Sequence, residues 1–548
     1  MGDLMIHPVI KKILESRGYT EEQMAEYLSP RPQLTYDPFL MKGMEEATEI
    51  IIRYAKEKRK ICVFGDYDCD GISSVTLMMC VLKELTDNLF YYIPSRFEEG
   101  YGLNISAVDK IHQQGAELII TVDCGSVSYN EVEYIKEKGM AVIVTDHHNI
   151  DDRSADCIIL NPKQQDDTYP FSYLCGCGVA FKLAQAISRR TEFSKASLNA
   201  LLDLVGIATI GDIVPLIDEN RTLVKYGIDR IKRQQRKSLN GLMDEISVQA
   251  ASINTYNIAF GIVPHLNSCG RMATADMGVE LLLSQDDKHI SELSAKLAEL
   301  NYQRRSIQQE IYKTAADYID NYMHEDLFIL YDAGSSHEGI TGIVAGKLKE
   351  DYNRPVIIVT EAEDPDKAKG TGRSIEGIDL YKLLKGHEEL FLKFGGHAGA
   401  CGFTMEKKDV GLLRRLLNED MKGILAENPD VLAHKVKTDA VIDADDVTLE
   451  LANQVKLMEP FGAFNEQPLF SVENVHIKRI FAMGKEKQYR KLSCVSKSGR
   501  TFDAVIFDEK LIGEADLLAG KTVKMAAEIN INTWNGRSSL QTVVRSFI

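Results

Sequence analysis

Short apolar runs alternate with helical patterns over residues 59–146 of this 548-residue chain. The apolar runs read ICVFGD, LFYYIP, ELIITVD and AVIVTD, and a helix-like periodicity separates each run from the next. This alternation predicts parallel strands joined by helices that cover the faces of one sheet. In such sheets the loops at the carboxyl ends of the strands converge and carry the chemistry. Those ends read GDYDCDG, TVDCGS and TDHHN.

Helical patterns continue downstream of this sheet. Two helices are predicted within residues 177–215, and the second, LLDLVGIATIGDIVPL, ends close to Asp212. Between residues 290 and 318 apolar side chains recur mostly three or four positions apart, which predicts one helix over about residues 283–323. Such a helix is on the order of 60 Å long, so we expect it to join two lobes. A coiled coil that binds a partner is the alternative, but Arg304 interrupts the apolar stripe.

The remainder of the chain has two different patterns. A second α/β pattern (DLFILYD, a helix from Gly342, PVIIVT) extends to about Asn428 and contains three predicted glycine-rich loops, SSHEGITG, GTGRSIEG and FGGHAGACG. From about Val436, strand-like runs alternate, and Asn535-Gly536 predicts a tight hairpin. The tail is therefore predicted to be a small β-barrel.

Composition and charge narrow the class of protein. The length predicts about two to four domains, and no run approaches the roughly 20 apolar residues that a membrane helix needs. The N-terminus lacks a secretion pattern, so we expect a cytoplasmic protein whose ten cysteines are reduced thiols. The net charge of −17 argues against a general nucleic-acid binder, since phosphate neutralisation needs clustered cations. Any nucleic-acid contact must use a local basic path and bound metal cations.

Acidic residues collect at the predicted strand ends. Asp66, Asp68 and Asp70 stand at alternate positions directly after the first apolar run, where three carboxylates repel one another unless cations neutralise them. The glutamate that a calcium-binding loop would carry after the glycine is absent. Asp123 ends another run, and Asp212 is expected to be buried in an apolar context, where an unpaired carboxylate is costly.

The strand end TDHHN adds Asp146, His147 and His148 to these carboxylates. Mixed carboxylate and imidazole ligands suit Mn²⁺, and suit Mg²⁺ less well. Any one such aspartate is more often a turn or cap residue, but four clusters at successive element ends favour a metal site. Two cations bridged by one carboxylate stabilise the attacking and leaving oxygens of a phosphoryl displacement. The residues therefore predict metal-assisted phosphoester hydrolysis.

The segments GDYDCDG, TVDCGS, VTDHHN and IGDIVPL resemble the four motifs of the DHH phosphoesterases, in that family's order. The resemblance implies a pair of Mn²⁺ ions, with Mg²⁺ as the alternative, and Asp123 as the residue that bridges them. The implied metal ligands are Asp66, Asp68, Asp70, Asp123, His147 and Asp212. The implied catalytic residues are Asp123, His147 and His148, with His148 facing the scissile phosphate. Phe64 departs from the family, because many relatives carry a histidine there.

The second lobe resembles the DHHA1 domain that accompanies this catalytic core. Glycines let backbone N–H groups approach phosphate oxygens, and an arginine can bind two such oxygens at once. The segments IPSRFEEGYGL and VPHLNSCGRM further resemble the RecJ branch of the family, which adds two arginines. A salt bridge on the acidic surface is the alternative role for either one; their position in glycine-containing loops favours substrate binding. The implied substrate-binding residues are Arg96, Arg271, His337, Arg373, Ser374, Gly395, Gly396 and His397.

The tail resembles an OB-type module, a fold that binds single strands through stacking and a basic groove. The segment MEPFGAFNEQPLF resembles the start of that module in the RecJ branch, but Phe464 occupies a position where glycine is expected. The aromatic side chains that could stack on bases are Tyr489, Phe502, Phe507 and Trp534. At strand spacing, each is more often part of a barrel core.

The resemblance extends from about residue 35 to the C-terminus and implies an α/β protein in five parts. These are an N-terminal helical segment (1–45), a parallel-sheet DHH catalytic domain (46–282), a long connecting helix (283–323), a second α/β DHHA1 domain (324–430) and an OB-like β-barrel (431–548). It implies a monomeric exonuclease that degrades single-stranded DNA from the 5′ end in recombination and repair, with a helicase and a single-strand-binding protein as partners and no membrane.

Two other functions remain open. One is a DHH phosphodiesterase acting on short oligoribonucleotides or cyclic dinucleotides, although such relatives usually lack a tail after residue 435. The other is a replication scaffold on a decayed DHH core, which should have lost ligands, whereas every core carboxylate and both histidines are present.

Overall fold

The computed structural model describes residues 6–96, 99–100, 102–150, 153, 155–433, 436–534 and 537–548. The chain forms two compact units, and each is described below by itself. The first unit comprises Met1–Val263, Gly278–Ser291 and Val436–Ile548, and the second comprises Pro264–Met277 and Glu292–Lys435. The catalytic part and the C-terminal tail thus share a unit. The boundaries of the five parts expected from the sequence remain a prediction.

A five-stranded parallel sheet forms the centre of the first unit. Its strands are β1 (Ile61–Gly65), β2 (Leu89–Tyr92), β3 (Leu118–Val122), β4 (Ala141–Thr145) and β5 (Ile158–Leu160). Their order is β2-β1-β3-β4-β5, and every neighbouring pair is parallel. All residues of β1 and β3 are buried, because helices cover both faces of the sheet. The carboxyl ends of β1, β3 and β4 lie side by side, which confirms the expected parallel architecture.

Among its described residues, the first unit contains twelve α-helices up to residue 257, and one of them delivers a further acidic residue to the edge of the sheet. They are α1 (Pro8–Ser16), α2 (Glu21–Tyr27), α3 (Met44–Lys56), α4 (Cys69–Lys83), α5 (Ile105–Gln113), α6 (Tyr129–Glu137), α7 (Gly176–Arg190), α8 (Lys195–Asn199), α9 (Leu202–Gly211), α10 (Asp218–Lys232), α11 (Lys237–Glu245) and α12 (Thr255–Asn257). Helix α9 is apolar around its circumference and buried from Leu202 to Ile210. It is therefore a core helix, and it ends at Asp212.

A long helix connects the DHH-like and DHHA1-like segments, as expected. After α13 (Val263–Met272) and α14 (Asp276–Leu283), α15 (Asp287–Tyr322) contains 36 residues and is about 54 Å long. It begins four residues later than predicted, because α14 ends at Leu283 and the Asp286 carboxylate accepts the His289 N–H at 2.8 Å. Arg304 is buried and donates to the side chains of Asn301 and Gln308.

The second unit contains a mixed sheet of order β6-β7-β8-β10-β9, in which only β6 and β7 are parallel. Its elements are β6 (Ile329–Asp332), α16 (Glu338–Tyr352), β7 (Val356–Glu361), β8 (Lys367–Arg373), α17 (Leu380–Lys385), β9 (Phe391–His397), β10 (Ala400–Glu406) and α18 (Val410–Glu427). The prediction of three glycine-rich loops was wrong: Gly339 and Gly342 lie in α16, Gly370 and Gly372 in β8, and Gly395 and Gly396 in β9. A Cβ at Gly370 would lie 2.1 Å from the Phe403 ring, so this glycine makes room for a core side chain.

The C-terminal tail is a closed barrel, because β12 pairs with β15 as well as with β13. Its elements are β11 (Ala440–Asp443), α19 (Leu449–Leu457), β12 (Leu469–Met483), β13 (Tyr489–Val495), β14 (Thr501–Ile506), α20 (Ile512–Ala515), β15 (Thr522–Trp534) and β16 (Arg537–Phe547). The predicted Asn535-Gly536 turn lies outside the described residues. Ile10, Ile13 and Leu14 of α1 pack in the same apolar core as Phe470 of β12, so the N-terminal segment and the barrel share a core.

All ten cysteines are free thiols, as expected from their scattered spacing. Within the described ranges, no helix combines the length and the apolar character that spanning a membrane requires.

Candidate metal centre and phosphate-binding residues

The turn from β1 into α4 carries the first three aspartates. Asp68 is the N-cap of α4, and its Oδ1 accepts the N–H groups of Asp70 and Gly71 at 2.9 and 3.1 Å. A Cβ at Gly71 would lie 2.3 Å from the carbonyl oxygen of Asp66, so this sharp turn requires glycine. The turn places the three side chains together at the carboxyl end of β1.

The amino end of α7 holds Asp70 in place. The Gly176 N–H donates to Asp70 Oδ2, and the Cys177 N–H donates to Asp70 Oδ1, both at 2.7 Å. A helix N-terminus favours a negative charge at this position. Sequence reasoning did not identify these two amides, although the small-residue segment LCGCG was a signal that a backbone approaches something closely.

Asp123 follows β3 in a left-handed conformation, with φ of 62°. This conformation is rare for residues other than glycine, and functional sites often contain such strained residues. A Cβ at Gly176 would lie 2.5 Å from Asp123 Oδ1, so the start of α7 packs directly against this carboxylate. The buried Asp123 side chain therefore has little freedom to move.

His147, at the end of β4, brings the acidic residues into one cluster. Its Nε2 lies 3.2 Å from Asp123 Oδ1, 3.5 Å from Asp212 Oδ2 and 3.8 Å from Asp70 Oδ2. Three overlapping groups each offer ligand atoms within 4.8 Å of one another: Asp123, His147 and His148; Asp70, His147 and Asp212; and Asp66, Asp68 and Asp123. All six predicted metal ligands and His148 fall within these groups.

Burial and mutual repulsion disfavour the charged forms of these carboxylates. Burial, followed by the charge of Asp68, raises the pKa of Asp66 to about 8 and that of Asp70 to about 6. Burial and the charge of Asp70 raise the pKa of Asp212 to about 8, and the same two causes raise the pKa of Asp123 well above its usual value. Bound cations would remove this repulsion.

Asp212 is less buried than the sequence suggested. Its side chain is 26% exposed at the end of α9, where its Oδ2 lies 3.5 Å from His147 Nε2. The apolar residues that surround Asp212 in the sequence belong mainly to α9, the core helix that precedes it. Burial nevertheless raises the pKa of Asp212 to about 8, so Asp212 shares the cost of burial with Asp66, Asp70 and Asp123.

The two histidines of the TDHHN segment have different electrostatic environments. Burial, and then the charge of His148, lowers the pKa of His147 to about 3, which keeps its imidazole neutral and able to bind a metal. Burial also lowers the pKa of His148, but the hydrogen bond and charge of Asp146 outweigh it and raise the pKa to about 9. His148 therefore carries a positive charge at neutral pH, and its side chain is 46% exposed.

Asp146 positions this segment, a role that sequence reasoning missed. Its Oδ1 lies 2.7 Å from His148 Nδ1 and accepts the N–H groups of His147 and His148, while its Oδ2 accepts the Ser126 N–H at 2.9 Å. Burial raises the pKa of Asp146, but the hydrogen bond and charge of His148, the Ser126 N–H and the charge of His147 together outweigh burial and lower this pKa far below its usual value. Buried Asn161 donates to Ser126 Oγ and to the His148 carbonyl oxygen, each at 2.9 Å.

The donor set fits divalent cations. Asp66 Oδ1, Asp123 Oδ1 and His147 Nε2 are buried and have no hydrogen-bond partner among the described residues. Buried polar atoms are otherwise almost always paired, so three such atoms in one cluster indicate a cation-binding site. Carboxylates with one neutral imidazole suit Mn²⁺ better than Mg²⁺.

Arg96 lies beside this cluster in the first unit. Its guanidinium lies over the Tyr67 ring, 5.2 Å from the centroid, and its charge partly offsets the raised pKa of Asp66. Both effects place Arg96 next to the turn that follows β1.

In the second unit, three predicted substrate-binding residues meet at the start of α16. His337 is the N-cap of α16, and its Nδ1 accepts the Gly339 N–H at 3.2 Å. Arg271 Nη1 donates to the Gly339 carbonyl oxygen at 2.8 Å, and a Cβ at Gly342 would lie 3.1 Å from Arg373 Nη2. Arg271 lies in the last turn of α13, so its expected place in a loop was wrong; its helix continues through Pro264 and Gly270.

The remaining predicted residues of the second unit lie around one hairpin. Ala400 of β10 pairs with Arg373 on one side and with His397 on the other. Gly396 has φ of 145°, and a Cβ there would lie 2.4 Å from the Ala400 carbonyl oxygen, so the hairpin requires glycine; Gly395 is its neighbour in β9. The Ser374 hydroxyl donates to the Ile378 carbonyl oxygen, which gives this side chain a structural contact.

The aromatic residues of the barrel divide into two groups. Phe502 is buried in the barrel core. Tyr489 and Phe507 form an edge-to-face pair with centroids 5.3 Å apart, and Phe507 is 43% exposed. The side chain of Trp534 lies outside the described part of the chain.

Comparison with known proteins agrees with this geometry. Models of the DHH family N-terminal domain, the DHHA1 domain and the RecJ OB domain match residues 60–209, 321–423 and 438–546. The single-stranded-DNA-specific exonuclease RecJ of Bacillus subtilis is 35% identical over 99% of this chain and 68% of its own length. RecJ of Haemophilus influenzae is 31% identical over 98% of this chain and 96% of its own length. The chain belongs to the RecJ family.

A solved RecJ structure shares the whole architecture. RecJ of Thermus thermophilus in complex with Mn²⁺ is 25% identical, with a TM-score of 0.83 over 99% of this chain and 76% of that one. This match confirms the fold expected from the sequence. That fold is a parallel sheet followed along the chain by a long helix, a DHHA1 domain and an OB-like barrel.

Proposed function

We propose that this chain is a metal-dependent exonuclease that degrades single-stranded DNA. The observation that carries the proposal is the cluster of buried carboxylates around His147, with three polar atoms that lack hydrogen-bond partners among the described residues. The relatives from Bacillus subtilis and Haemophilus influenzae are single-stranded-DNA-specific exonucleases by name, and the Thermus thermophilus relative holds Mn²⁺.

The acidic and histidine residues would hold the metal and orient the phosphate. The residues that would hold two Mn²⁺ ions, with Mg²⁺ as the second choice, are Asp66, Asp68, Asp70, Asp123, His147 and Asp212. The ions would supply positive charge to the attacking and leaving oxygens of the phosphodiester. His148, which Asp146 keeps protonated and oriented, would donate a hydrogen bond to a phosphate oxygen.

The other predicted residues would bind the strand. Arg96 lies beside Asp66 and would contact a phosphate near the metal centre. Arg271, His337 and Arg373 would bind a phosphate at the start of α16, where the helix dipole and two guanidinium groups favour an anion. The loops and β-strands of the barrel would bind more distant nucleotides. A 5′ to 3′ polarity, a role in recombination and repair, a monomeric state and partners such as a helicase form part of the proposal.

Digestion of end-labelled single strands tests this proposal. We expect an EDTA-stripped preparation to regain hydrolysis of single-stranded DNA on addition of Mn²⁺, and a block at the 5′ end to stop degradation while a block at the 3′ end does not. Duplex DNA and RNA strands of the same sequence serve as controls. Degradation of dinucleotides but not of long DNA strands would favour the short-RNA or cyclic-dinucleotide phosphodiesterase instead.

A further inference from the structure

Two large apolar side chains on segments that contact each other are exposed rather than buried. Ile213, which directly follows Asp212, is 75% exposed, and Phe464, in the segment that leads into the barrel, is 69% exposed. Both belong to the first unit. Single exposed apolar residues are common, so exposure alone says little about either one.

Backbone contacts join the segments that carry these residues. The Leu216 N–H, three residues after Ile213, donates to the carbonyl oxygen of Ala463, the neighbour of Phe464, at 2.8 Å. A Cβ at Gly462 would lie 2.6 Å from Leu216 Cδ1, so the two segments pack without space for another side chain. The exposed Phe464 ring is therefore carried by a segment fixed to the loop that follows Asp212.

The Phe464 segment is held firmly on its other side. Asn465 is buried; its Nδ2 donates to the carbonyl oxygens of Met458 and Pro460, at 3.1 and 2.8 Å. Its Oδ1 accepts the Tyr27 hydroxyl at 2.6 Å. The exposed ring is thus mounted on a rigid backbone, and rigidity lowers the entropy cost of binding a ligand.

Both residues adopt a left-handed backbone that their side chains disfavour. The φ angle is 58° at Ile213 and 60° at Phe464. Glycine takes this conformation freely, whereas β-branched and bulky residues do so at a cost. Ile213, next to the candidate ligand Asp212, and Phe464, on the segment joined to the same loop, are thus strained residues with exposed apolar side chains, and such strain is concentrated at functional sites.

We propose that Ile213 and Phe464 form an apolar platform that contacts a nucleobase of the strand lying in the metal centre. This inference rests on the proposed function. The metal centre and the arginines can recognise phosphates, but a single-stranded substrate also exposes flat bases. An aromatic ring on a rigid segment stacks on any base, so it holds the strand without selecting its sequence.

The test combines removal of the ring with removal of single bases. Phe464→Gly removes the ring and relieves the left-handed strain, and Phe464→Asn, which also tolerates this conformation, provides a second ring-free variant. Phe464→Tyr keeps the ring. Gln234→Gly, at another exposed residue with φ of 53°, controls for relief of strain alone. Substrates are oligothymidylates that carry one abasic site, moved stepwise from the degraded end.

We expect both ring-free variants to raise KM for the intact strand about 5- to 160-fold, the range for one lost stacking contact, with kcat nearly unchanged. Phe464→Tyr and Gln234→Gly should behave like the parent. One abasic position should weaken binding by the parent but cause no further loss in the ring-free variants, because that base is the partner of the ring.

An unchanged KM for Phe464→Gly and Phe464→Asn would overturn the inference, as would equal losses at every abasic position. Weaker Mn²⁺ binding by both ring-free variants, measured by calorimetric titration, would also overturn it, because the variants would then have damaged the metal centre. If the parent protein hydrolyses no phosphodiester with Mn²⁺, the proposed function is wrong. If the parent is active and removal of the Phe464 ring leaves its KM unchanged, only the proposed platform is wrong.

Discussion

The contact between Gly176 and Asp123 gives a sharp prediction for Gly176→Ala. The new Cβ would lie 2.5 Å from Asp123 Oδ1, and this distance must open by about 0.5 Å to reach 3.0 Å, the lower limit for real Cβ contacts. Asp123 cannot easily yield, because it is buried and its backbone is left-handed. The Gly176 N–H, which donates to Asp70, would move as well.

This displacement is large for a metal ligand. Ligand distances in metal sites are held within about 0.2 Å, and disturbing the groups that orient ligands typically costs about 10- to 100-fold in metal affinity or activity. Overpacking costs about 1–3 kcal/mol of stability, which outweighs the gain of up to about 1 kcal/mol from replacing a helical glycine by alanine. We therefore expect Gly176→Ala to bind Mn²⁺ about 10- to 100-fold more weakly and to unfold more easily.

Gly178→Ala, two residues further along α7, is the matched control. Its Cβ would lie 3.2 Å from Leu174 Cβ and 3.7 Å from Cys175 Sγ, so small shifts of these side chains can accommodate it. Mn²⁺ affinity of the EDTA-stripped proteins would be measured by calorimetric titration, and hydrolysis of labelled single-stranded DNA at saturating Mn²⁺. Parental affinity in Gly176→Ala, or an equal loss in Gly178→Ala, would refute the reasoning.

Three further predictions follow from the same structure. Asp123→Ala should abolish hydrolysis while anisotropy shows single-strand binding largely intact with Mn²⁺; near-parental turnover would remove Asp123 from the metal site. Burial and neighbouring carboxylates raise the pKa values of Asp66 and Asp212 to about 8, so the folded metal-free protein holds protons that the unfolded chain releases near pH 4. Its free energy of unfolding should therefore fall as pH rises from about 4 to about 8, and the gain in Tm from Mn²⁺ should grow over that range; a constant gain would contradict this. Deleting residues 436–548 alone should cause aggregation, because it exposes the apolar side chains of α1 and α2 that pack in the barrel core. Deleting residues 1–35 as well should restore recovery of the protein in the supernatant. Equal recovery of the two truncated proteins would count against the shared core.

The parallel sheet and the long helix were predictable because both depend on local periodicity. Buried strands read as apolar runs, and the acidic residues at their ends appear directly in the sequence. The cluster followed from one rule, that the carboxyl ends of neighbouring parallel strands lie side by side. The long stripe without Pro or Gly likewise predicted α15, but not the cap at Asp286 that sets its start.

Features that depend on distant partners were not predictable from local pattern. Gly370 reads as part of a loop until Phe403, which fills the space above it, is known. Asp146 looks like a third ligand beside two histidines, yet its carboxylate turns back to accept backbone N–H groups. The packing of α1 with the barrel joins residues more than 400 positions apart, and no periodicity encodes such a contact. At Phe464 the expectation of glycine was physically sound, because the backbone there is left-handed.

An anomalous difference map at the manganese absorption edge, from crystals grown with Mn²⁺, tests the central claim most directly. Two peaks should lie among the carboxylates of Asp66, Asp68, Asp70, Asp123 and Asp212, with His147 Nε2 bound to one of them. An absence of peaks at saturating Mn²⁺, or peaks bound by other residues, would contradict the assignment of this cluster as the hydrolytic centre.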